Sequence, residues 1–170
     1  MITVTFKDVG QGDTIWIEWG DANNKSFGII DCHRYQGRNA VIEELIQKQP
    51  KKLEFIILSH LHHDHYSGLG EVLNYCINNK IIIERFLHTF GPDYLEILDS
   101  LFLTYDQIKD IDVLIQAIDN GTKAKIIKDI DSVSHNFKPI LLEGTTYLNF
   151  LAPNGIDYKE LTKLKLRFKR

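Results

Sequence analysis

A chain of 170 residues with 44% hydrophobic content holds enough apolar material for one core and falls in the usual single-domain range. Its net charge of −3, with Lys and Arg spread along the chain, gives no compositional sign of a nucleic-acid binder. No apolar stretch approaches membrane-spanning length, and the N-terminus lacks a signal peptide's basic and apolar regions. The two cysteines, Cys32 and Cys76, sit in predicted apolar elements, so a reducing, cytoplasmic setting is expected.

In chain order, apolar alternation predicts strands over 2–7, 14–19 and 27–31. A helix follows at 38–48, with Val41, Ile42, Leu45 and Ile46 as its buried stripe and Pro50 stopping it. The apolar run 53–58 reads as a strand buried on both faces. After residue 65 the spacing of Leu69, Val72, Leu73, Cys76 and Ile77 predicts a helix to about residue 78. A strand near 81–86 comes next, then helices over 93–103 and 105–118. The second of these carries Ile108, Ile111, Leu114, Ile115 and Ile118, with Gly121 as its C-terminal cap. Strands return at 124–130, 139–143 and 146–151, and residues 161–170 alternate apolar and basic in a half-buried strand pattern.

The segment Ser59-His60-Leu61-His62-His63-Asp64-His65 concentrates four of the seven histidines between a predicted strand and a predicted helix. Imidazole and carboxylate together suit a borderline divalent ion such as zinc, so His60, His62, Asp64 and His65 are the expected metal ligands. Alternate residues of an extended chain point to one side, which pairs His60 with His62. Asp64 and His65 follow where the chain turns and can face the same cavity from another direction. His63, between ligands, is expected to point away. Strand ends followed by helix N-termini are where α/β architectures collect ligand sites. Upstream, Gly10 and Gly12 in Asp8-Val9-Gly10-Gln11-Gly12-Asp13-Thr14 permit a tight turn or a close approach to a ligand. Taken alone, that segment reads as an ordinary hairpin turn.

The spacing His60-x-His62-x-Asp64-His65 after a hydrophobic strand resembles the signature of the metallo-β-lactamase fold superfamily. Joined to the Asp8–Thr14 segment and to Ile29-Ile30-Asp31-Cys32, it resembles the subgroup containing the hydrolase domain of DNA-uptake channel proteins of the ComEC/Rec2 type. The close resemblance covers about residues 2–70, and a weaker one resumes at 148–153. It implies an α/β (α+β) fold, half or more of an αββα sandwich with a mixed sheet and flanking helices. It also implies two Zn2+ ions in the complete protein, with His60 and His62 on one and Asp64 and His65 on the other. Asp64 would also position the attacking water. Asp8, Asp13 and Asp31 would lie beside the cavity, with Asp31 orienting ligand histidines from behind them, a task metal sites give to carboxylates or carbonyls.

Where relatives often have Gly or Thr-Gly after that Asp, this chain has Cys32-His33, which reads as a small buried cysteine and a surface histidine. His33, His88 and His135 are further ligand candidates, though an isolated loop histidine is usually a solvated side chain. The family's later motifs, a bridging Gly-Asp and a final histidine in a His-Gly-Ser-like turn, do not occur after Pro153, where Asn154 is the only hint of the subgroup's pattern. The chain is therefore expected to be one domain over 1–170, cut short before its C-terminal ligand motifs. A chain of that kind would bind metal weakly, have little activity alone, and need a dimer partner or a missing half. The expected function is metal-dependent hydrolysis of an ester-type substrate, with phosphodiesters including nucleic acid favoured. The alternative is a catalytically incomplete domain acting as an interaction module or remnant. The helical region 93–118 is a candidate wall of the substrate cleft.

Overall fold

The structure is a computed structural model and describes residues 1–22, 24–89, 104–133 and 136–151. The predicted helix 93–103, the predicted strand 161–170, Asn154 and His135 lie outside the described residues.

Strands β1 (Thr3–Phe6), β2 (Ile15–Gly20) and β3 (Lys25–Ile30) form an antiparallel meander, Phe6 opposite Ile15 and Ile15 opposite Ile30. A small hairpin, β4 (Arg34–Tyr35) and β5 (Arg38–Asn39), leads into helix α1 (Ala40–Lys48). Asn39 starts this helix because its side-chain oxygen accepts the otherwise orphaned amide of Ile42. β6 (Lys52–Leu53) and β7 (Phe55–Leu58), separated by Glu54, both pair parallel with β8 (Ile82–His88). β7 also pairs parallel with β3, and β8 with β9 (Ile127–Ser132), so the seven-stranded sheet is mixed. Between these strands run α2 (His63–Tyr66), α3 (Leu69–Asn79) and α4 (Tyr105–Lys123). A separate hairpin of β10 (Ile140–Glu143) and β11 (Thr146–Leu148) follows.

Both faces of the sheet are covered. On one, α1, α3 and α4 bury Val41, Leu45, Leu69, Val72, Leu73, Cys76, Ile111 and Leu114 against Ile29, Ile56, Leu58 and Phe86. On the other, Ile17, Trp19, Phe55, Ile57 and Leu87 pack with Ile140 of β10 and with Leu142, Leu148 and Phe150. β7 therefore sends alternate side chains into two cores, and all four of its residues are buried, as its unbroken apolar sequence predicts. The helix layer, mixed sheet and small second sheet match the layering of a metallo-β-lactamase-type sandwich.

Several details differ from the sequence-based expectation, among them Arg38–Asn39, predicted as helix and found in β5. Gly121 is not a helix cap: α4 continues to Lys123, and the missing Cβ lets Ile127 pack against the helix at that point. The chain reverses instead at Lys125 (φ 58°), so β9 begins at Ile127 rather than at 124. The buried stripe of α4 is Ile111, Leu114, Ala117 and Gly121, which leaves Ile108 and Ile115 exposed, and in α1 Ile46 is exposed as well. Apolar spacing alone admits two overlapping helical stripes, and the sheet selects one.

Gly28 lies opposite Phe55 in the β3–β7 pair, and a Cβ there would stand 2.2 Å from the ring. That ring is fully buried and stacks on Trp19, so it has nowhere to retreat. Gly28→Ala is expected to destabilise the fold by about 1–3 kcal/mol. Urea unfolding checks this, and an unchanged midpoint would contradict the packing.

Candidate metal centre

β7 ends at Leu58, and the chain then carries Ser59, His60, Leu61 and His62, the last in extended conformation, before α2 begins at His63. The ring centroid of His60 lies 4.7 Å from that of His62 and 3.8 Å from that of His65. Asp64 Oδ2 lies 3.8 Å from His65 Nε2. The four residues singled out by spacing are thus gathered at one place. His60 and His62 are exposed, Asp64 is half-buried, and His65 is buried.

One carboxylate organises this cluster. Asp31, only 3% exposed, accepts hydrogen bonds from the Ser59 amide (2.8 Å), the Ser59 hydroxyl (2.6 Å) and His65 Nδ1 (2.9 Å). Its aim depends on a left-handed backbone (φ 58°), a conformation in which Asp is enriched among non-glycine residues. The protonation pattern follows. His65 Nδ1 must carry the proton it gives Asp31, which leaves Nε2 with a free lone pair on the side of Asp64. The single Ser59 hydroxyl proton goes to Asp31, so at the 3.0 Å Ser59 Oγ–His60 Nδ1 contact the imidazole is the donor. His60 Nε2 is then free as well. Imidazoles held as Nε2 donors by hydrogen bonds at Nδ1 are the arrangement metal sites use, so the donor set fits a zinc-type ion. Partial desolvation of the ring, followed by the neighbouring His65 and His62, lowers the His60 pKa and favours the neutral, ligating form.

Asp13, Asp31 and His65 also bring three donor atoms within 4.8 Å of one another, a candidate Asp/Asp/His metal site. Asp13 Oδ2 is 3.8 Å from His65 Nδ1, the same atom that already donates to Asp31. A metal on Nδ1 would displace that hydrogen bond, so the geometry favours ligation through Nε2. The Gly-rich segment is both a hairpin loop and a wall of the site. Lys7 N donates to Thr14 O across the hairpin, and Asp13 N donates to Asp64 O. Gly12 is needed for this approach, because a Cβ would stand 2.4 Å from His33 and 2.5 Å from the Asp64 carbonyl.

Of the remaining candidates, His33 borders the loop, its ring 6.5 Å from that of His63. Asp8 is exposed at the end of β1. Cys32 is fully buried, its thiol donates to Asn39 Oδ1, and burial pushes its pKa up, so it is a poor thiolate ligand. His33 shares a 3.0 Å contact between Nδ1 and Ser67 Oγ, and its pKa is lowered by burial and by His63. His88 ends β8, where burial lowers its pKa against the opposing pull of Asp131. Ser59 was legible only as the residue before the first histidine. Arg34, Ser67 and Asp110, which join the loop through the contacts given below, carry no local sequence signal.

The sequence profile of the metallo-beta-lactamase superfamily matches residues 8–150. The chain belongs to that superfamily. A search of curated proteins returns no match. For this superfamily member no described helix is long and apolar enough to cross a membrane.

Asp31→Ala leaves three donors without their acceptor and is expected to cost about 2 kcal/mol or more of stability, read by urea unfolding. His33, His60 and His88 all have pKa values lowered from 6.5, so the unfolded chain binds protons that the folded metal-free chain does not. Their contribution is therefore fully present above pH 6.5 and falls as pH drops below it towards the lower folded values. The metal-free protein should lose unfolding midpoint between about pH 6.5 and pH 5, and His88→Gln should flatten that loss. An unchanged slope in the variant would show that His88 contributes nothing to it.

Proposed function

We propose that this chain is a zinc-dependent hydrolase domain whose metal ligands are His60, His62, Asp64 and His65, and that its substrates are phosphodiesters, nucleic acid among them. The observation that carries the reading is the convergence of the loop's imidazoles, with His65 held in the Nε2-donor tautomer by Asp31 and His60 by Ser59, which itself donates to Asp31. Membership of the metallo-beta-lactamase superfamily supports metal-dependent hydrolysis. The phosphodiester class rests on the resemblance of the Asp8–Thr14 and Ile29–Cys32 segments to the DNA-uptake subgroup.

Zinc bound here would supply a Lewis acid and lower the pKa of a coordinated water towards neutrality. The chain's own residues do the rest. Asp64, with its side chain 42% exposed and 3.8 Å from His65 Nε2, would accept a hydrogen bond from the attacking water and aim it. His60 and His65 offer lone pairs fixed in direction by the Ser59–Asp31 network. In the reaction, water adds to phosphorus and an alcohol leaves. Two ions, if bound, would be held by His60 and His62 and by Asp64 and His65 respectively, with further donors needed from outside these four. The two cysteines, buried and free, support a cytoplasmic setting.

Elemental analysis after incubation with zinc and desalting, followed by hydrolysis of bis(p-nitrophenyl) phosphate, tests this. Zinc should be retained at a low level, in keeping with weak binding, and lost in His62→Ala, and Asp64→Asn should slow what turnover there is by about a hundred-fold or more. Equal zinc content in His62→Ala would sink the ligand assignment. Retained zinc with no diesterase activity would sink the substrate class alone.

A further inference from the structure

The residue between the second and third expected ligands, His63, points away from the cluster as its position predicts, and it ends on a buried charge. His63 Nε2 lies 2.8 Å from Asp110 Oδ2 on α4. Asp110 is 6% exposed and is also held by Arg34 Nη2, which donates to both carboxylate oxygens at 3.0 Å. The other Arg34 nitrogen donates to Glu71 Oε1 at 2.8 Å, and Glu71 Oε2 accepts from Asn39 Nδ2 at 3.1 Å. Asn39 also donates to Gly68 O, and the Arg34 amide donates to Ser67 Oγ. Nearby in α2, Tyr66 donates from its hydroxyl to Gln107 O of α4, and its ring meets His63 edge-on at 5.5 Å.

These contacts tie the metal loop to α4 and to the β4–β5 hairpin. Asp31 grips Ser59 and His65, whereas Asp110 grips His63, between His62 and Asp64. Arg34 bridges Asp110 and Glu71 through its two terminal nitrogens, and such charge-assisted hydrogen bonds are stronger than neutral ones. Buried ion pairs add little net stability over apolar residues of the same volume, so stability alone is a weak reason for this network. Its geometry matters at the loop, where a small backbone rotation at His63 would swing His62 and Asp64 apart.

We propose that His63 and Asp110, with Arg34 behind them, are positioning residues of the metal centre, coupling the placement of α4 to the affinity of the loop for its ion. The inference rests on the metal-hydrolase reading above and adds to it residues that touch no metal. Partners behind metal ligands commonly change affinity by about 10–100-fold when removed.

The test is the zinc dissociation constant, read by competition with a chelating dye, for the wild type, His63→Ala, His63→Gln, Asp110→Asn and His62→Ala. Urea unfolding of the metal-free forms runs in parallel. His63→Ala and Asp110→Asn should weaken zinc binding about ten-fold or more. His63→Gln, whose amide nitrogen can take the place of Nε2 towards Asp110, should recover most of the loss. Loss of stability without loss of affinity in His63→Ala and Asp110→Asn would make the network a plain structural brace and overturn the proposal. Zinc binding by His63→Gln as weak as that of His63→Ala would overturn it too. Should His63→Ala fail to fold, the near-isosteric Asp110→Asn and His63→Gln decide on their own. Zinc lost in His62→Ala but unaffected by the others defeats this inference alone, whereas a wild type that takes up no zinc defeats the underlying reading with it.

Discussion

The Asp31 carboxylate is the constraint on which the site depends. It sits at the end of β3 with a left-handed backbone, and its own amide donates to Ile57 O, which continues the β3–β7 pairing by one more bond. Its side chain is thereby fixed at the point where β7 releases the metal loop. Three hydrogen bonds then bind Ser59 and His65, the residues just before and at the end of the expected ligand set. A buried carboxylate accepting three hydrogen bonds satisfies most of its capacity, and each donor also forfeits a freedom the loop would otherwise have. The same bonds choose the imidazole tautomers. Position and chemistry are set by one group.

That group can act only because its surroundings are rigid. β7 is buried on both faces, between the helix-side core around Ile56 and Leu58 and the second core around Phe55 and Ile57. Leu69 and Val72 of α3 anchor the far end of the loop in the first core. The loop is therefore a short span between two fixed ends, braced by Asp31 and by Asp110. The Gly-rich hairpin closes over it through the Asp13–Asp64 backbone bond, at a distance only glycine at position 12 permits.

Much of this was legible in the sequence, for reasons that differ by element. The α/β class, the helices after Asn39 and after Gly68, and the doubly buried β7 follow from local periodicity, which is a short-range signal. Spacing and family resemblance pointed to His60, His62, Asp64, His65 and Asp31, side chains that the structure brings together. The end of α4 was not, because Gly121 satisfies a packing need against Ile127 that lies outside its local sequence. Nor was the exposure of Ile46, Ile108 and Ile115, since only the sheet decides which of two apolar stripes is covered. Arg34 and Asp110 are 76 residues apart, and no pattern in either neighbourhood announces that they meet. Long-range polar pairing is the information a single sequence withholds.

The most direct test of this dependence on Asp31 is an anomalous difference map, recorded at the zinc edge, from crystals of this protein grown with zinc. Density is expected among His60, His62, Asp64 and His65, facing Nε2 of His60 and His65, with the Asp31–His65 Nδ1 hydrogen bond intact. Density between Asp13, Asp31 and His65 Nδ1, or none in the loop at all, would contradict it.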